Sequence, residues 1–103
     1  MSDDALAMIA NRFRVLADPM RLKILHTLGN AEMNVSELVE ATRAGQANVS
    51  KHLGLMLDAE IVARRKEGLN SFYRISDESI FELCDLVCER LKKQFETRRS
   101  VLE

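Results

Sequence analysis

The chain is short of the residues that cross-link small proteins or interrupt regular structure. Its 103 residues include two cysteines, one proline, four glycines and no tryptophan. Cys84 and Cys88 stand four residues apart in a helical pattern, where a disulfide would be strained, so a disulfide-bonded scaffold is excluded. The low glycine and proline content excludes a low-complexity chain, and 47% apolar residues favour a single helix-rich domain over residues 1–103.

Targeting segments and long apolar runs are absent as well. The first ten residues carry two acidic residues and no basic residue, which is not the pattern of a signal peptide. No apolar run approaches the length that a membrane-spanning helix needs. We therefore expect a cytoplasmic protein without a membrane partner.

The chain also lacks an excess of either charge, because its net charge is only −1. The charges are nevertheless segregated along the sequence. Residues 43–74 contain six basic and three acidic residues, a net charge of +3, whereas the rest of the chain carries −4. The distribution of charge along the sequence is therefore more informative than the net charge. The middle of the chain is the expected site of contact with a polyanion.

Apolar periodicity and turn residues predict a mainly α-helical domain with a small β-hairpin, in the order α-α-α-α-β-β-α. Asp18 and Pro19 are typical of a helix start, Ser36 is predicted to open a short helix, and Asp77 is predicted to cap the long last helix. The predicted helices are 4–17, 19–28, 36–42, 46–59 and 77–98, and the predicted strands are 61–66 and 71–76.

Two helices joined by a short turn and followed by a basic hairpin are the order of a winged helix-turn-helix. The second of these helices has a polar front, and a helix of that kind fits the major groove of DNA. Basic residues on the adjacent hairpin are expected to contact the flanking phosphates. The predicted contacts on the helix are Gln46, Ala47, Asn48, Ser50 and Lys51, and those on the hairpin are Arg64, Arg65, Lys66 and Arg74.

Three motifs in this order resemble the ArsR/SmtB family of metal- and stress-responsive repressors: LADPMRLKIL at 16–25, VSKHL at 49–53 and FYRI at 72–75. The resemblance covers about residues 5–91. It implies a homodimer built from the first and last helices, residues 1–17 and 77–99, which binds an imperfect palindromic operator and is released by an inducer. It also places His52 on or near the DNA face. The interface residues predicted on these two helices are Leu6, Met8, Val15, Val87, Cys88, Leu91 and Phe95.

The sequence departs from the family pattern at three positions of the recognition helix and its ends. Gly45 replaces the usual Ser or Thr cap, Gly54 replaces a Lys or Arg, and Glu60 replaces a helix-ending Gly. Gly54 should cost about 1 kcal/mol relative to Ala. It also removes a basic residue that would have contacted the DNA backbone.

The metal sites of the family are not preserved. Residues 35–40 contain no cysteine, and Ser79, Arg90 and Lys93 stand where ligands of the other site would be expected, although Asp77 matches. No metal site or cofactor is therefore predicted from these positions. Cys84 and Cys88 lie on one helical face, so two interpretations stay open: capture of a thiophilic metal, metalloid or oxidant, or packing in an interface.

Three other interpretations compete with a DNA-binding repressor that responds to an inducer. An enzyme is not expected, because the sequence has no glycine-rich phosphate loop and no recognisable pair of nucleophile and base. A repressor without an inducer and a winged-helix module for protein contacts are the alternatives. A steep dependence of duplex binding on salt would distinguish DNA binding from protein binding.

Overall fold

The fold, seen in a computed structural model, is a winged helix-turn-helix, as the sequence predicts. The structure describes residues 1–95 and 99–102. The elements are α1 (Asp3–Leu16), α2 (Pro19–Leu28), β1 (Met33–Asn34), α3 (Val35–Thr42), α4 (Gln46–Asp58), β2 (Val62–Glu67), β3 (Asn70–Ile75), α5 (Ser79–Gln94) and α6 (Arg99–Leu102). The predicted end of the last helix at Arg98 lies outside the described residues, and α5 ends at Gln94.

Side-chain caps fix where the helices of the helix-turn-helix begin. The Asp18 carboxylate accepts hydrogen bonds from the backbone N–H groups of Met20 and Arg21, at 2.8 and 3.1 Å. Asn34 caps α3, and Glu37 bonds back to the Asn34 N–H, so the two residues form a reciprocal capping box. The expectation that Ser36 opens this helix is wrong, because Asn34 precedes it and satisfies the free amides first.

The cap predicted for the last helix is also not a full one. The Asp77 side chain accepts a hydrogen bond from the Ser79 backbone N–H, but Glu78 occupies the cap position and α5 lacks a side-chain bond from it. The other carboxylate oxygen of Asp77 accepts a hydrogen bond from Arg12 at 3.4 Å. This ion pair joins the middle of α1 to the start of α5.

The sheet has three antiparallel strands in the order β1-β3-β2, one more than the sequence predicts. The missed strand, β1, has two residues, and Met33 pairs with Tyr73 while Asn34 pairs with Phe72. A two-residue strand is too short to produce an alternating pattern. Its place beside β3 joins the entry of α3 to the middle of β3. The hairpin of β2 and β3 is the wing of the fold.

The core lies between α2, α3, α4, the start of β2 and the first turn of α5. Its buried members are Leu16, Ile24, Leu25, Leu28, Leu38, Val49, Leu53, Met56, Ile61, Val62 and Ile80. Only Leu16 comes from α1 and only Ile80 comes from α5. The core therefore holds the helix-turn-helix and the wing in place, while most of α1 and α5 lies outside it.

Candidate nucleic-acid interface

The front of α4 is open to solvent. Val49, Leu53 and Met56 anchor the helix in the core. Every residue predicted to contact DNA in its first two turns is exposed, except His52: Gln46, Ala47, Asn48, Ser50 and Lys51. Anchoring of one side and exposure of the other leave a polar surface that a double helix can approach.

His52 does not belong to that surface. Its side chain is buried, and its Nδ1 lies 3.2 Å from Nη1 of Arg21 on α2. Burial lowers the pKa of His52, with Lys51 and Arg21 adding to this effect and Asp18 opposing it. The placement of His52 at the DNA is corrected accordingly, because the ring connects α4 to α2 from inside the protein.

Arg21 makes this connection specific. Its Nε donates to the Val15 carbonyl oxygen at 2.6 Å while its Nη1 faces His52. The backbone N–H groups of Arg21 and Met20 lower the pKa of the Asp18 carboxyl, since they stabilise its charged form. One side chain therefore joins the α1–α2 junction to the recognition helix.

The wing presents its basic residues on two opposite faces, because side chains alternate along a strand. Arg64 pairs with Tyr73 and Lys66 pairs with Ser71, and both share the face of β2 that begins with the buried Val62. A groove of about 280 Å³ runs between this part of the wing and the helix-turn-helix. Its lining includes Gln46, Ser36, Leu69, Ser71 and Tyr73.

Arg65 lies on the other face of the wing and is already neutralised. Its guanidinium contacts Glu32 at 3.1 Å and Glu67 at 2.7 Å, and it stacks over the Phe72 ring at 5.0 Å from the centroid. The hydrogen bonds that Arg65 donates to Glu32 and, to a smaller extent, to Glu67 raise the pKa of Arg65. A free phosphate contact, as predicted for this residue, would require these bonds to break.

Arg74 lies on the same face of the wing as Arg65, opposite Arg64 and Lys66. It pairs with Ala63, and it lines a cavity of about 320 Å³ together with Glu32, Glu78 and Phe81. The basic residues predicted as one phosphate-binding set therefore divide into two. Lys66 and Arg64 are on the face with the groove, and Arg65 and Arg74 are on the face with the acidic residues.

Apolar side chains outside the core form two exposed stripes. On α1 the stripe contains Leu6, Ile9 and Phe13. On α5 the stripe begins at the buried Ile80 and extends to the exposed Val87. Leu6 is one of the residues predicted at the dimer interface, and Ile9 and Phe13 share its stripe. Val15, also predicted there, is half-buried and packs against the core.

The other predicted interface residues have different surroundings. Met8 is exposed and lines a cavity with Arg12 and Asp58, whereas Leu91 and Phe95 line a small apolar cavity with residues of α6. Cys88 is half-buried, and its Sγ lies 3.6 Å from the Leu102 carbonyl oxygen.

Cys84 lies in an environment that differs from that of a reactive thiolate. Cys84 is half-buried against the core, and burial, followed by the charge of Asp85, raises the pKa of its thiol.

Within residues 1–95 and 99–102, no group of three or more His, Cys, Asp or Glu side chains is arranged to hold a metal ion. No helix in that same part of the chain is long and apolar enough to cross a membrane.

Comparison with known sequences agrees with this geometry. The sequence model of bacterial regulatory proteins of the arsR family matches residues 18–64. The chain is 35% identical to the HTH-type transcriptional regulator KmtR of Mycobacterium tuberculosis over 81% of its own length, and it spans 64% of that relative. It is 30% identical to a transcriptional repressor SmtB homolog of Synechocystis over 90% of this chain and 70% of the relative.

A solved structure supports the same assignment. The homodimeric winged helix-turn-helix DNA-binding domain Mb0332 of Mycobacterium bovis superposes with a TM-score of 0.73 at 31% identity. The match covers 84% of this chain and 83% of that domain. Sequence and structure together establish that the chain belongs to the arsR family of bacterial regulatory proteins.

Proposed function

We propose that the protein is a homodimeric, sequence-specific transcriptional repressor that binds operator DNA through α4 and the wing. The observation that carries this proposal is the exposed polar front of α4 beside a wing face that carries Arg64 and Lys66. Gln46 and Asn48 are the proposed base-reading residues, since amide side chains can make paired hydrogen bonds to a base edge. Ser50, Lys51, Arg64 and Lys66 are the proposed phosphate contacts.

The dimer is proposed to form through α1 and α5. Exposed apolar stripes on both helices, including Leu6, Phe13 and Val87, would be removed from water by a second copy. The homodimeric state of the Mycobacterium bovis domain supports dimerisation. A two-fold axis would present two α4 helices to successive turns of an imperfect palindrome.

Repression follows from occupancy. A dimer seated on an operator within a promoter blocks access of other proteins to the same DNA, and the Synechocystis relative is named as a repressor. In this function the protein is a cytoplasmic regulator. It is not an enzyme in this proposal, because every role assigned to its residues is one of binding.

The proposal is tested by a fluorescence anisotropy titration of the protein into duplex DNA from the promoter next to its own gene. Lys51, Arg64 and Lys66 would supply about six phosphate contacts per dimer, so log K should fall against log salt with a slope near −5. Lys51→Ala should weaken binding to all duplexes and make this slope shallower by about 2, because each dimer loses two contacts.

The control for Lys51→Ala is Lys93→Ala, which removes the same charge from an exposed position on α5. It should leave the slope unchanged. A flat salt response of the unmodified protein, or no binding to any duplex, would instead favour a winged-helix module that contacts proteins.

For Cys84 and Cys88 we propose a packing role, so that repression does not depend on thiol chemistry. The raised pKa of Cys84 and the contact of Cys88 with the Leu102 carbonyl support packing. Release by a thiophilic ion or an oxidant is the alternative, favoured by the four-residue spacing of the thiols. Titration with arsenite, cadmium and peroxide should leave operator affinity unchanged, and a tenfold loss would establish the thiols as a sensor.

A further inference from the structure

Arg65 is engaged by three other residues of the protein, Glu32, Glu67 and Phe72. Its Nε lies 3.2 and 3.3 Å from the two carboxylate oxygens of Glu32, and its Nη2 lies 3.1 Å from one of them. Its Nη1 donates to Glu67 at 2.7 Å, and the guanidinium plane covers the ring of Phe72. Two edges and one face of the group are thus engaged, which is a geometry that the planar fork of arginine permits and a lysine ammonium does not.

The charge of this cluster opposes a phosphate contact. Two carboxylates surround one guanidinium, so the group of Glu32, Arg65 and Glu67 carries a net charge of −1. An approaching phosphate would be repelled by the carboxylates and would have to displace hydrogen bonds already made to charged acceptors. Arg64 and Lys66, on the opposite face of the same strand, do not share these partners.

The cluster adds a polar connection between the wing and the segment that leads into α3, beside the apolar contacts of the core. Glu32 directly precedes β1, which leads into the capping box of α3, whereas Glu67 ends β2 next to the tip of the wing. Apart from this cluster, β1 holds the wing through only two residue pairs. A two-stranded hairpin is marginally stable by itself, so an extra connection at this point fixes the wing against the helix-turn-helix.

We infer that Arg65 is a positioning residue that locks the wing to the entry of α3 through Glu32. The lock sets the angle at which Arg64 and Lys66, on the opposite face, meet the DNA backbone while α4 occupies the groove. This inference rests on the proposed function. It assigns to Arg65 an indirect role in DNA binding, in place of the direct phosphate contact that its charge suggests.

Glu32→Gln and Arg65→Lys distinguish the two roles. If Arg65 positions the wing, both variants should bind the operator about five- to tenfold more weakly with an unchanged salt slope, because the lock is lost and no phosphate contact is. If Arg65 contacts phosphate, Glu32→Gln should release it and tighten binding, with a slope steeper by about 2 per dimer, and Arg65→Lys should bind like the unmodified protein.

Glu40→Gln is the matched control, because it removes the same charge from an exposed position on α3. It should bind as tightly as the unmodified protein or slightly more tightly. Tighter binding of Glu32→Gln than of Glu40→Gln would overturn the inference.

Amide hydrogen exchange of residues 64–72 in the free protein supplies a readout that needs no DNA. Both lock variants should exchange several-fold faster in the wing, whereas Glu40→Gln should match the unmodified protein. Unchanged exchange in both lock variants would overturn the inference even if their DNA binding were weakened. Failure of the unmodified protein to bind DNA would refute the proposed function, and the exchange result would still decide whether the lock exists.

Discussion

The central part of the molecule, from α2 to β3, and the two flanking helices bury their apolar residues to very different extents. In the centre, the apolar faces of α2, α3 and α4 meet in one core. In α1 the stripe reaches the core only at Leu16, and Phe13 is 53% exposed; in α5 Ile80 is buried, whereas Val87 is 49% exposed. The centre completes its own core, and the flanking helices have apolar surface that a second copy of the chain can cover.

The largest expected effect comes from placing a charge on the exposed apolar stripe of α5. Val87→Glu should weaken the dimer by about 3 kcal/mol, roughly 100-fold, because a carboxylate in an apolar interface loses its water without gaining a partner. Sedimentation velocity should show monomers at concentrations where the unmodified protein is dimeric. Far-UV circular dichroism should stay unchanged, because the core of the centre does not include Val87.

Leu55→Glu is the matched control, since Leu55 on α4 is 45% exposed and receives the same substitution. It should sediment as a dimer. If Val87→Glu were dimeric as well, the exposed stripe of α5 would not be the interface, and the contrast between the two parts would need another explanation.

Periodicity was sufficient to predict the helices of the centre, because each buries one clear face. The exposed surface of α4 and the stripe on α5 also follow from spacing alone. The division of the wing into two faces was available in the alternation of Arg64, Arg65 and Lys66, but their partners were not. Nothing local indicates that Glu32, 33 residues before Arg65, is its ion-pair partner.

His52 was misplaced for a similar reason. The family resemblance places His52 on or near the DNA face, and only the packing of α2 against α4 reveals Arg21 as its partner. Likewise, a two-residue strand such as β1 is defined by its neighbour and has no pattern of its own. These errors concern tertiary contacts, and the errors at the caps of α3 and α5 shift a helix start by one or two residues. The element order and most boundaries depend on local sequence.

A second, smaller effect tests how tightly the centre is closed. His52→Gln should lower the free energy of unfolding at pH 7.5 by about 1 to 2 kcal/mol, since it disturbs a buried hydrogen bond. It should also flatten the pH dependence of stability. Burial lowers the pKa of His52 from 6.5, so below that pH the unfolded state binds more protons than the folded state, and stability falls as the pH decreases.

Urea unfolding at several pH values between 7.5 and 5 measures both effects. The stability contributed by neutral His52 is present above 6.5 and is lost as the pH falls through the lower folded pKa. His26→Gln, which changes the exposed histidine of α2, should retain this decrease. A decrease of equal size in His52→Gln would mean that other groups cause it.

The smallest expected effect concerns a backbone position in the centre that packing does not control. A Cβ at Gly54 would meet no atom within 4 Å, so Gly54→Ala should raise the free energy of unfolding by about 0.5 to 1 kcal/mol and the melting temperature by about 4 °C. Gly68→Ala also meets open space, but its φ of +59° disfavours a side chain, so it should lower the melting temperature. Calorimetry at one fixed protein concentration measures both variants, since the dimer makes the melting temperature depend on concentration. A lower melting temperature for Gly54→Ala would contradict the helical, unobstructed environment described for this residue. A side chain at position 54 would then meet neighbouring atoms.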